Sequence, residues 1–150
     1  GRGTSRLYTA WVPFGDIPIE VGGLIVLEGS HRLRHLKETY GRLDVDSHCE
    51  NAEGISAMER AGFLASGAVA GDPAGLRARL GGRWLTADFQ VGDLLTFEMF
   101  LVHGSLDNGS DQIRLSTDSR YQRASDPFDE RWVGEHPIGH GEEAKRALIC

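Results

Sequence analysis

The chain has 150 residues, with 40% hydrophobic and 25% charged side chains, ordinary values for one globular domain able to bury about 70% of its unfolded surface. Its 16 basic and 22 acidic side chains give a net charge of −6, which argues against a nucleic-acid surface, since that needs a basic stripe. No apolar run approaches the length of a membrane span and no stretch reads as a signal peptide. Cys49 and Cys150 form no C-x-x-C pattern, so a disulfide scaffold or cysteine-rich zinc site is not expected, and a reducing cytoplasm is.

Residues 6–14, "RLYTAWVPF", alternate and are rich in β-favouring types, which predicts a strand ending at Pro13. Gly22-Gly23 is a turn, Leu24–Leu27 a buried strand, and Gly29-Ser30 another turn. Leu33 and Leu36 stand three apart in "HRLRHLKETY", predicting a short helix over 31–40 with Ser30 as N-cap. Over 41–82 the pattern weakens. "ISAMERAGFLASG" and "DPAGLRARL" have helical spacing, with Asp72-Pro73 as cap and first turn. This section reads as a helical insertion that would cover a pocket mouth and set the substrate.

"RWLTADF", "DLLTFEMFLVH" and "QIRLSTDSRYQ" return as three strands joined by "QVGD" and "LDNGSD" turns. Residues 122–150 form a polar tail. The organisation is mainly β, with helical material in the middle and a single domain over 1–150. A double-stranded β-helix, or jelly roll, fits this better than a βαβ pattern.

The chemistry is expected on the last hairpin. Alternation puts His103 on the face of Phe97, Met99 and Leu101. On the returning strand Arg114 and Ser116 share a face. An inward guanidinium is costly unless an anion awaits it, and its fork suits a carboxylate. A neutral imidazole at a strand end suits a divalent metal. The plainer alternatives are a hydrogen-bonded structural histidine and an arginine paired with an acid.

Other groupings offer less. His31 and His35 are four apart, but no Glu follows His31 as a zinc-protease motif requires. His136 and His140 flank Pro137 and Gly139, and His48-Cys49 lacks matching partners. No G-x-S-x-G elbow and no phosphate-binding loop is present. Asp118, Arg120, Asp126, Asp129, Glu130 and Arg131 read as a solvated or salt-bridged edge that discourages strand-to-strand association.

Two segments carry a resemblance. "WVPFGDIPIEVGGLIVLEGSHR" and "VGDLLTFEMFLVHGSLDNGSDQIRLS", in that order and with Arg114 11 positions after His103, resemble the phytanoyl-CoA dioxygenase family of Fe(II)/2-oxoglutarate oxygenases. The resemblance implies that His103 is one histidine of a three-residue iron site and that Arg114 binds the distal carboxylate of 2-oxoglutarate. It also implies that Ser105 and Trp11 line the co-substrate pocket; Ser116 would assist Arg114 from its place on the same face. The implied activity is hydroxylation of a small organic substrate, with succinate and CO2 as co-products.

The family's triad also needs a His-x-Asp pair shortly before the tryptophan strand, and this sequence contains none. His140-Gly141-Glu142 comes after His103, in the wrong order. The expected place of the pair is just before Gly1, so the chain is expected to be the C-terminal majority of a longer oxygenase. The alternatives are a cupin-like domain that binds a small anion without redox chemistry, and an inactive fragment. Neither oligomeric state nor substrate identity follows from the sequence.

Overall fold

The computed structural model describes residues 3–42 and 68–137. The helical reading of 55–67, His48-Cys49 and the end of the tail, with His140, lie outside them. The chain divides into two compact units: one comprises Ser5–Leu33 and Arg77–Arg123, the other Gly1–Thr4, Arg34–Leu76 and Ala124–Cys150.

The first unit holds two three-stranded antiparallel sheets. In one, β1 (Tyr8–Pro13) lies between β4 (Leu95–Glu98) and β6 (Ser116–Tyr121). In the other, β2 (Leu24–Leu27) lies between β3 (Trp84–Leu85) and β5 (His103–Ser105). The alternation in "YTAWVP" is realised, since Thr9, Trp11 and Pro13 are buried while the intervening residues are not. β2 is apolar on both faces and nearly all buried, as a central strand should be.

Cross-strand register sets the faces. Thr9 stands opposite Phe97 and Trp11 opposite Leu95, so these side chains share the buried face of the first sheet. Leu24 stands opposite Ser105 and Val26 opposite His103, so these four share one face of the second. Trp11, Phe97 and Leu24 then meet in a single core cluster with Ile17, Val21 and Phe89. The rings of Trp11 and Phe89 meet edge to face, 4.8 Å between centroids. Ile17 and Phe89 also exchange both backbone hydrogen bonds, at 2.7 and 3.0 Å. The segment after β1 is thereby tied to the strand-like run before β4.

Several expectations change. The apolar run "DLLTFEMFLVH" is not one strand: β4 stops at Glu98, and β5 starts at His103 in the other sheet. A turn closed by the Leu101 N–H donating to the Glu98 carbonyl at 3.0 Å makes the crossing. His103 and Arg114 are therefore not on adjacent strands. β5 pairs with β2, β6 pairs with β1, and Arg114 precedes β6.

Ser30 is not a helix N-cap either. It begins a 3-10 turn, Ser30–Arg32, and its hydroxyl accepts the Val102 N–H at 2.9 Å. The helix α1 is shortened to Arg34–Glu38. The Asp72 cap is as expected: its carboxylate accepts the N–H groups of Ala74 and Gly75 at the start of α2 (Pro73–Leu80). Of the charged run, Asp118 and Arg120 pair with each other. Asp126 is buried rather than solvated, and accepts from the Thr4 hydroxyl at 3.3 Å within the second unit. Asp129 caps the turn Glu130–Trp132 and pairs with Arg131.

A two-pronged ion pair closes the end of β2. Arg83 donates through Nε and Nη2 to the two oxygens of Glu28, at 2.9 and 3.0 Å. That hydrogen-bonded contact holds the Glu28 carboxyl below its ordinary range. A depressed carboxylate contributes stability above its unfolded-state pKa, and the contribution is lost as pH falls through the lower folded value. Both groups face water, so salt should weaken the effect. An NMR titration should find the Glu28 midpoint below that of an ordinary glutamate and return it to normal in Arg83→Gln. An unchanged midpoint in the variant would show that the pair is a packing coincidence.

Candidate functional site

The site begins at a glycine. Gly22 sits in the left-handed region with φ +86°, and a Cβ there would fall 2.6 Å from the Leu106 carbonyl oxygen. Only glycine lets the backbone of the β1–β2 connection approach the chain leaving β5 so closely. That approach turns the Gly22 carbonyl onto the Arg114 guanidinium: Nη1 donates to it at 3.0 Å. The same nitrogen donates to the Ser105 hydroxyl at 3.2 Å.

The guanidinium is half-buried, and among the described residues it pairs with no carboxylate. The plainer reading of Arg114, an arginine matched to an acid, is therefore not what these residues form. Its two partners are neutral acceptors that hold the group without cancelling its charge. A carboxylate-bearing ligand would supply what is missing, by two parallel hydrogen bonds to a planar fork.

His103 is oriented separately. Its Nδ1 lies 2.8 Å from the Leu101 carbonyl oxygen, which can only accept, so Nδ1 carries the hydrogen. In the neutral tautomer this fixes, Nε2 is the free nitrogen, the form a metal-ligating histidine takes when a carbonyl holds its other nitrogen. The Phe97 ring packs on it at 4.7 Å, tilted 54°. His103 and Ser105 point to one face of β5, so the imidazole and the Arg114–Ser105 contact lie along the same side of the strand.

The other expected residues fall less directly. Trp11 is only 3% exposed, built into the core on the same sheet face as Phe97. Ser116 lies opposite Pro13 at the start of β6 and makes no hydrogen bond to Arg114; Ser105 is the hydroxyl that does. His31 and His35 belong to different elements, a 3-10 turn and α1, so they form no helical pair.

Iron and 2-oxoglutarate fit unequally. Arg114 and Ser105 fit the carboxylate of 2-oxoglutarate, and His103 fits one position of a metal. Among the described residues no three His, Cys, Asp or Glu side chains gather to complete a metal site. A further His-x-Glu spacing, His48-Cys49-Glu50, lies outside the described residues, and in sequence it follows the tryptophan strand rather than preceding it.

Sequence reasoning missed the Gly22 carbonyl; it set Phe97 on the face of His103, and the two rings do meet. It also missed a pocket of about 430 Å³ lined by Tyr8, His31, Thr96, Phe97, Glu98 and Leu101. The one available signal was Glu98, an acid interrupting an apolar run. Among the described residues no helix is long and apolar enough to cross a membrane.

Two antiparallel sheets bring an arginine without an acid partner among the described residues, a serine hydroxyl and a carbonyl-oriented histidine to one side of β5 in a mainly β protein. The chain belongs to the phytanoyl-CoA dioxygenase family, whose model matches residues 2–116. Its fold is similar to that of the non-heme alpha-ketoglutarate-dependent epimerase SnoN from nogalamycin biosynthesis, with a TM-score of 0.52 at 20% identity. The match covers 91% of this chain and 44% of that one, so the chain spans less than half the length of that neighbour. No curated protein matches it.

Gly22 offers the sharpest structural test. Gly22→Ala should destabilise the protein by about 1–3 kcal/mol from the left-handed backbone alone, and by more if Leu106 cannot yield. Urea unfolding checks this; a change of a few tenths would mean that the close approach is not needed.

Proposed function

We propose that the two sheets are walls of a double-stranded β-helix and that the chain forms the co-substrate half of a 2-oxoglutarate-dependent oxygenase. The observation that carries this is Arg114, a half-buried cation held by Gly22 and Ser105 with no acid partner among the described residues. Arg114 would bind the distal carboxylate of 2-oxoglutarate, with the Ser105 hydroxyl fixing the guanidinium plane. His103 would supply one metal ligand through Nε2, its ring set by the Leu101 carbonyl and the Phe97 ring. Fe(II) with 2-oxoglutarate supplies dioxygen activation and oxidation of a substrate C–H bond, with succinate and CO2 as co-products. The remaining ligands would come from outside the described residues. The primary substrate is read as a small organic molecule.

What this chain's residues do is bind and orient. The Gly22 carbonyl and Ser105 hydroxyl occupy one nitrogen of Arg114, leaving the others for the ligand. Phe97, on which the imidazole rests, belongs to a buried apolar cluster with Trp11 and Leu24, while His103 and Ser105 are open to solvent.

Metal-free binding tests this part without activity. Titrating 2-oxoglutarate should shift the NMR signals of Arg114 and Ser105, and Arg114→Ala should weaken binding about 10- to 100-fold. Arg114→Lys, which keeps the charge but not the fork, should recover only part of it. In an enzyme with a full ligand set, Arg114→Ala should raise the KM for 2-oxoglutarate far more than that for the primary substrate. Equal effects on both would remove the anchor role. Binding of succinate or other small acids as tight as that of 2-oxoglutarate would favour a plain anion-binding jelly roll.

A further inference from the structure

We propose that the Glu98 pocket selects a substrate bearing a protonated amine beside an apolar body. The proposal names a substrate class for the oxygenase reading and rests on it for the fate of the bound molecule; the binding itself stands independently of that reading.

The pocket lies where β4 ends. Tyr8 and Glu98 are cross-strand partners, and Thr96 is two residues before Glu98, so their side chains share one sheet face. His31 and Leu101 complete the lining, together with Phe97. Its volume of about 430 Å³ suits a small organic molecule.

The charges point one way. Among the described residues Glu98 is the only acid in the lining and His31 the only basic side chain. The His31 Nε2 accepts a hydrogen bond from the Arg32 Nε at 3.2 Å, which turns that guanidinium onto the imidazole. Nε2 stands 4.0 Å from the Glu98 Oε1, too far for a hydrogen bond. The Glu98 side chain is 36% exposed, and among the described residues its carboxylate receives no hydrogen bond. The lining therefore offers one carboxylate charge and leaves it short of donors.

An ammonium meets both needs. It brings a positive charge and three donors, one for Glu98 and others for the hydroxyl oxygens of Tyr8 and Thr96. An alcohol brings one donor and no charge, and a carboxylate is repelled. Aromatic residues beside an acid are also the usual company of an organic cation. Leu101 offers apolar surface to the rest of the molecule. Phe97 also borders the pocket, but its ring lies on the other face of β4, against His103.

The test uses three probes with the same hydrocarbon: n-hexylammonium, hexan-1-ol and hexanoate. Each is titrated into isotope-labelled chain and followed by NMR. Hexylammonium should shift Thr96, Glu98 and Leu101 with an affinity about tenfold above that of hexanol, and hexanoate should not bind there. Glu98→Gln, nearly isosteric, should remove the tenfold preference while leaving the 2-oxoglutarate response of Ser105 unchanged. Equal binding of hexanol, tighter binding of hexanoate, a preference that survives Glu98→Gln, or shifts confined elsewhere would each overturn the proposal. Ammonium preference without any 2-oxoglutarate response would support the pocket and sink the oxygenase reading; the reverse result would sink the pocket alone.

Discussion

A positive charge held without a negative one is the constraint on which the candidate site depends. Withdrawing a guanidinium partly from water costs energy that is usually recovered by an acid. Arg114 is given a main-chain carbonyl and a serine hydroxyl instead. Each recovers part of the lost hydration while leaving the charge in place. The carbonyl reaches the guanidinium because Gly22 adopts a conformation and a proximity that a side chain would forbid. A glycine in the β1–β2 connection, a serine on β5 and an arginine before β6 are thus one unit, although they span 92 residues of sequence.

The second element, His103, is placed by the turn between the sheets rather than by a strand. Residues 99–102 carry the chain from β4 to β5. Backbone groups pin them: the Leu101 N–H on the Glu98 carbonyl, the Val102 N–H on the Ser30 hydroxyl, and the Val102 carbonyl accepting the Leu27 N–H at 2.8 Å. The Leu101 carbonyl remains to fix the imidazole. Ser30 is therefore a device for the turn that presents the histidine. That explains a buried hydroxyl, 1% exposed, next to a 3-10 turn it does not cap.

Strand content and the Gly22-Gly23 and Gly29-Ser30 turns were legible because they rest on local signals, alternation and turn residues; His103 and Arg114 were singled out by their place in apolar company and by the family resemblance. The route between the two residues was not. A long apolar run reads as one strand when both of its halves are buried, and nothing in "FEMFLVH" marks where it changes sheets. The same ambiguity sent Ser116 toward Arg114, because parity along a continuous strand equates them. In the structure Arg114 lies before the strand begins, and a long side chain reaches Ser105 instead. Ser30 failed as a cap for a different reason. A serine followed by a helix-like pattern satisfies the local rule, while its partner, Val102, is 72 residues away.

The crossing from β4 to β5 also ties recognition to chemistry. Phe97 and Glu98 are neighbours in sequence, so they face opposite sides of β4. Phe97 turns inward to His103, and Glu98 joins the face of Tyr8 and Thr96. Because side chains alternate strictly along a strand, inserting or deleting one residue before Phe97 would exchange those roles, putting an acid in the core and a ring outside. A change in the length of the 99–102 turn would instead leave Tyr8, Thr96 and Glu98 in place but move Leu101 and shift His103 off the Leu101 carbonyl. The stretch from Phe97 to His103 therefore has little freedom in length. Variation in what the pocket accepts is confined to side-chain exchange, above all at Glu98, where the strand is half-exposed and a new side chain displaces nothing in the core.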